Sequence, residues 1–108
     1  VLVAGVDDPD DNLLLPDHTA LTAVYPNPFN SEARIDYSVA SATHVSIRIY
    51  NVLGQEVRAL IDDARSSGSY HVWWDGTDDR GSPVSSGIYF CRLSATDVSD
   101  TRKLLYLK

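Results

Sequence analysis

The strongest constraint on this chain is a two-residue rhythm. In "THVSIRIYNV", Val45, Ile47 and Ile49 alternate with Ser46, Arg48 and Tyr50. Side chains two apart share one face of a strand, whereas a helix would scatter them around its axis. The same rhythm places Ile35, Tyr37 and Val39 together in "ARIDYSV". It groups Tyr70, Val72 and Trp74 in "YHVWWDG", and Tyr89, Cys91 and Leu93 in "IYFCRLSA". "TALTAVY", "EVRALI" and "TRKLLYLK" complete a set of seven short strands, and no stretch carries a helical period. Gly, Asp, Ser and Pro punctuate the strands about every eight to twelve residues, the spacing of an antiparallel β-sandwich. Gly54 in "NVLGQEV" supplies the positive φ of a hairpin, and "DDARSSGS" and "TDVSD" read as loops.

Charge divides the chain in two. Residues 1–32 contain Asp7, Asp8, Asp10, Asp11, Asp17 and Glu32 and no Lys or Arg, so they carry the whole net charge of −6. The remaining residues balance nine acids against nine bases. Residues 1–18 therefore read as an acidic linker or the end of an upstream domain, and residues 19–108 as one folded domain. The chain lacks an initial Met and reads as a segment of a longer protein. No basic stripe suits nucleic acid, and no apolar run reaches the ~18 residues of a membrane-spanning helix. One cysteine, Cys91, excludes an internal disulfide.

Rigid chemistry gathers at "YPNPFN", Tyr25, Pro26, Asn27, Pro28, Phe29 and Asn30. Prolines at alternate positions exclude a helix and interrupt a sheet ladder. The stretch reads as the seam between linker and domain, with Tyr25 and Phe29 packing their rings on the sandwich edge. Phe29 is expected to be buried and Asp7–Asn12 exposed.

No catalytic set is visible, and no enzyme activity is expected. His18, His44 and His71 lack metal-ligand spacing, Cys91 has no neighbouring base, and no Gly-x-Ser-x-Gly elbow occurs. No cofactor is expected. Asp75, Asp78 and Asp79 lie on a Gly-rich loop and could offer oxygen ligands to Ca²⁺. Their spacing matches no EF-hand, and hydrogen bonding to local backbone N–H groups is the preferred role. Trp73 and Trp74 must face opposite ways, so one is core and the other is open to a sugar, to a protein or to a sheet edge. Arg102, Lys103 and Lys108 give the final strand basic ends, either as edge protection or as a recognised signal.

Taken together, "LPDHTALTAVYPNPFN", "VSIRIYNVLGQEVRAL", "GSYHVWWDGTDDRGSPVSSGIYFCRL" and "TRKLLYLK" resemble successive blocks of the C-terminal type IX secretion (Por) sorting domain. The version is the one related to the immunoglobulin-like domain of the flagellar hook-cap protein, and the resemblance runs from about Leu15 to Lys108. It departs from the family at Ser31-Glu32-Ala33, where a Pro is common, and at Cys91. The turn glycines Gly54, Gly76, Gly81 and Gly87 are kept.

The resemblance implies an all-β, immunoglobulin-like antiparallel β-sandwich of about seven strands. It also implies a non-catalytic domain that directs an upstream cargo domain across the outer membrane of gram-negative bacteria. The partners it implies are the type IX translocon and sortase components, and the route is periplasm, then cell surface or medium. Arg102, Lys103 and Lys108 are the sorting-signal candidates, read by charge or by pairing with open edge groups of the last strand. Two other functions fit the residues: a hook-cap-like structural or interaction module, and an accessory carbohydrate-binding module using the exposed Trp and the acidic loop.

Overall fold

The computed structural model describes residues 16–108. The expectation for Asp7–Asn12 falls outside the described residues. Seven strands appear among the described residues: β1 (Ala20–Tyr25), β2 (Ala33–Val39), β3 (Thr43–Tyr50), β4 (Glu56–Arg65), β5 (Gly68–Trp74), β6 (Gly87–Ala95) and β7 (Val98–Tyr106). They form two antiparallel sheets, β1-β2-β5 and β4-β3-β6-β7. The immunoglobulin-like sandwich expected from the sequence is therefore the fold. Its fourth strand joins the second sheet, unlike the constant-type arrangement, in which that strand belongs to the first.

The alternating residues are the core. Ile35, Tyr37 and Val39 of β2 face Val45, Ile47 and Ile49 of β3, and all six are buried. Cys91, Leu93 and Leu104 extend the layer on β6 and β7. At one end, aromatic rings replace aliphatics. Trp74 is fully buried, with its ring centroid 5.4 Å from Phe29, 5.2 Å from Tyr89 and 6.1 Å from Tyr106. Its indole N–H donates to the Thr77 carbonyl at 2.9 Å, so no polar atom is stranded. The Tyr89 hydroxyl donates to the carbonyl of Ser85, four residues upstream, as in the tyrosine corner of immunoglobulin sandwiches.

Cys91, two residues beyond Tyr89, stands where antibody domains carry one half of their intersheet disulfide. Here the thiol is buried and pushed up to about 12, chiefly by burial, with Asp100 adding and Arg102 opposing.

Two strands are longer than the sequence pattern suggests. β4 runs on through Asp62, Asp63 and Ala64 to Arg65, where a polar loop is expected from composition. Its backbone pairs with Thr43, His44, Val45 and Ser46, and Asp62 is held by His44 at 2.6 Å and by Arg48 at 3.2 Å. An edge strand open to water accepts charged side chains, so polarity does not end it. β7 begins at Val98 because the reversal needs only Thr96 and Asp97, the latter at φ 65°.

Gly76 is required twice over. Its φ is +77°, and a Cβ there would lie 2.6 Å from the Tyr106 ring. Gly54 has φ +80° but open space around it. Gly54→Ala should therefore cost only the conformational strain of about 1–2 kcal/mol. Gly76→Ala should cost clearly more, because it also displaces a core ring. Urea melts of the two variants give the comparison. Phe29→Ala should lower stability by about 3–5 kcal/mol in the same assay. Cys91 should resist a neutral-pH thiol reagent until the protein is unfolded, as a thiol titration with and without denaturant will read.

Candidate functional site

An open sandwich leaves strand edges whose N–H and C=O groups need partners. "YPNPFN" supplies them to β7. The Asn27 side-chain amide donates to the Lys103 carbonyl at 3.0 Å, and its oxygen accepts the Leu105 N–H at 2.9 Å. The Phe29 N–H then donates to the Leu105 carbonyl at 3.0 Å, and the Leu107 N–H donates to the Phe29 carbonyl at 2.9 Å. Four consecutive outward groups of the closing strand are satisfied in this way. The buried Phe29 ring stacks on Tyr106 at 4.8 Å beneath this short parallel bridge. Pro26 and Pro28 frame Asn27, each after a cis peptide bond.

This corrects two expectations. The edge of β7 is occupied from Lys103 to Leu107, so pairing with open edge groups there is not available to a partner. Tyr25 does not pack on the sandwich edge. It is 45% exposed on the outer face of the three-stranded sheet, where its hydroxyl donates to Asp36 and its ring lies under Arg34. Val24 takes the inner side opposite Ile35, so alternation turns Tyr25 outward.

The first residues of the opposite edge, on β4, are covered by the acidic turn. The Asp79 N–H donates to the Val57 carbonyl at 3.1 Å, and the Asp79 carboxylate accepts the Ala59 N–H at 2.9 Å. Asp78 shapes the turn by accepting the N–H groups of Arg80 and Ser82. Asp75 accepts the hydroxyl and the N–H of Thr77. The Thr77 hydroxyl is the main cause holding the Asp75 carboxyl below the usual carboxylate range, and Arg58 adds to it at 3.7 Å. Arg58 also donates to the Asp78 carbonyl. The three carboxylates thus turn toward backbone and Arg58 rather than toward a common point. Among the described residues no group of three His, Cys, Asp or Glu is placed to hold a metal ion.

The basic residues of β7 separate into two roles. Arg102 reaches across the seam and donates to the Leu21 carbonyl at 3.0 Å, while Asp100 accepts the Leu21 N–H at 2.9 Å. Arg102 is thus a clasp between β1 and β7. Lys103 lies opposite Phe90, which lies opposite Tyr50, on the outer face of the four-stranded sheet. Lys108 follows β7, with its N–H on the Ser86 hydroxyl. Both lysines are exposed, and neither forms an ion pair among the described residues.

Trp73 is the exposed tryptophan, 46% open on the outer face of the small sheet, with His71 edge-on at 6.4 Å. Sequence reasoning missed Val52 and Leu53 at the tip of the β3–β4 hairpin. They are 66% and 79% exposed, although nothing in the turn requires apolar residues there. Their hydrophobicity on a turn was the available signal.

Comparison with known proteins places this geometry. The architecture matches dimeric latent PorU from Porphyromonas gingivalis with a TM-score of 0.63 and 18% identity, over 81% of this chain and 9% of that one. It matches PorZ, an essential bacterial surface component of the type IX secretion system of the same organism, with a TM-score of 0.57 and 19% identity, over 92% of this chain and 12% of that one. The chain thus spans about a tenth of each solved protein. No curated protein matches it. The FlgD Ig-like domain family matches residues 27–99, from Asn27 of the clasp to the start of β7. The chain belongs to the FlgD Ig-like domain family.

Proposed function

We propose that this domain is a non-catalytic sorting module that carries an upstream cargo domain across the outer membrane by the type IX route. The observation that carries the reading is the pair of exposed lysines, Lys103 and Lys108, beside the aromatic end of the sandwich. They stand free of carboxylates among the described residues, whereas Arg48, Arg58 and Arg34 are all committed to ion pairs. A cation with no internal partner is available to an external one. The fold shared with PorU and PorZ, and the family resemblance of the four sequence blocks, support the same reading. Arg102, engaged on Leu21, belongs to the scaffold in this scheme.

The translocon would read charge on an exposed face, since the β7 edge is already paired. The protein would travel through the periplasm to the cell surface or medium, where sortase components act on domains of this kind. The FlgD Ig-like family match supports a second reading, a structural interaction module without a sorting role. A reporter fused ahead of this domain separates the two. In a type IX-competent host, the sorting reading predicts surface or medium delivery of the reporter. Lys103→Ala with Lys108→Ala should strand it in the periplasm while the urea midpoint moves by less than about 0.5 kcal/mol equivalent. Normal delivery of the double variant would remove the lysines from the mechanism. No delivery of the unmodified fusion would favour the structural module.

A further inference from the structure

The exposed large hydrophobic residues of the described chain are Tyr25, Val52, Leu53, Trp73, Ile88 and Leu107. All six lie at one pole. Tyr25 and Trp73 flank Arg34 at the last rows of the small sheet. Ile88 pairs with Leu105 at the matching end of the large sheet. Phe29 bridges to Tyr106 and ties the two ends together. The opposite pole holds the Ser41–Ala42, Ser66–Ser67 and Thr96–Asp97 reversals and exposes no large apolar side chain among the described residues.

At the apolar pole, the outer face of β6 and β7 has one sign of charge. Its rows, from the pole inward, are Ile88 beside Leu105, Phe90 beside Lys103, and Arg92 beside Thr101. Among the described residues this face carries no carboxylate, because Asp100 turns to Leu21 on the other side. Arg92 bonds only the Ser99 hydroxyl. Val52 closes the patch, lining one shallow depression with Tyr50, Phe90 and Arg92. Glu56 is held by Arg48, and Asp78 and Asp79, which line a neighbouring depression with Asn51 and Glu56, turn to the backbone of β4 and of their own turn.

We propose that this pole docks on an anionic lipid surface. The hairpin tip Val52-Leu53, with Ile88 and Leu107, would enter the acyl boundary, and Arg92, Lys103 and Lys108 would meet lipid phosphates. Attachment of this type grows with buried apolar area and with cationic attraction to anionic headgroups. The tip is a hairpin turn whose two apolar side chains are 66% and 79% exposed, which suits insertion between lipids. Positive charge behind an apolar tip matches a layer whose phosphates lie above its hydrocarbon.

Sedimentation of the 108-residue chain with vesicles tests this without any translocon. It stands or falls apart from the sorting role. Binding is expected to phosphatidylglycerol vesicles, to be weakened by salt, and to be absent with phosphatidylcholine. Val52→Asp with Leu53→Asp should reduce it at least tenfold, and Lys103→Ala or Arg92→Ala about fivefold each. Unchanged urea midpoints would show that the variants remain folded. The proposal is overturned if phosphatidylglycerol vesicles do not bind or if both lipids bind equally. It is overturned too if the aspartate variant binds normally. Equal competition by free glycerol phosphate would reassign the cations to a soluble anion.

Discussion

The structure depends on how an open sheet ends. A four-stranded sheet in a sandwich has two edges, and each edge strand carries outward N–H and C=O groups that would otherwise template pairing with other chains. Each edge is covered here over part of its length by a segment that is not a strand. On β7, Asn27 and Phe29 take four consecutive backbone groups. On β4, Asp79 takes two. The chemistry is the same in each case. An Asn side chain offers one donor and one acceptor in the planar arrangement of a peptide. An Asp adds its carboxylate to its own backbone N–H. Each motif thus imitates a short length of strand and then turns away, so pairing cannot propagate. The aromatic cluster follows from that closure. Phe29 can bury its ring between Trp74 and Tyr106 because Asn27 and the Phe29 backbone hold the segment against β7.

Much of this was legible in the sequence, and the part that was not has a common cause. Alternation in β2, β3, β5 and β6 identified the buried row residue by residue, because a residue's side of the pleat depends only on its parity. The burial of Phe29 followed from an aromatic ring trapped in a segment that has no strand of its own. The polar half of β4 was hidden. Edge strands pair through backbone atoms that every residue possesses, and Asp62 and Asp63 meet water from opposite faces. Hydropathy records burial and is silent on pairing. The same blindness affected β7, whose covered edge and clasping Arg102 depend on contacts 78 and 81 residues apart. The sequence showed three cations near the end of the chain. Only the fold separates the one that ties β1 to β7 from the two that are exposed.

The turn glycines illustrate the difference between a local and a tertiary requirement. Gly54 and Gly76 have nearly the same φ, and both sit in tight reversals. At Gly54 the requirement ends with the backbone. At Gly76 the Tyr106 ring fills the place of a side chain, so the "WDGTDD" turn that covers the β4 edge also forms part of the aromatic core. The acidic loop and the "YPNPFN" clasp are therefore parts of one device, joined through Trp74, Tyr106 and Gly76. Damage to either cover should be felt at the other, although they protect opposite edges of the sheet.

Strand parity explains why the exposed apolar groups can act together. Successive strands alternate in direction, and their number is odd. The described chain therefore enters β1 at one pole and leaves β7 at the other. Ala20 thus stands at the polar pole, away from Val52, Leu53, Ile88, Lys103 and Lys108. A sandwich with an even number of such strands would start and finish at the same pole. Here the start of β1 and the exposed apolar face are separated by the full length of a strand. On the readings proposed above, contact at the apolar pole would depend on the sandwich itself and not on what is attached to it.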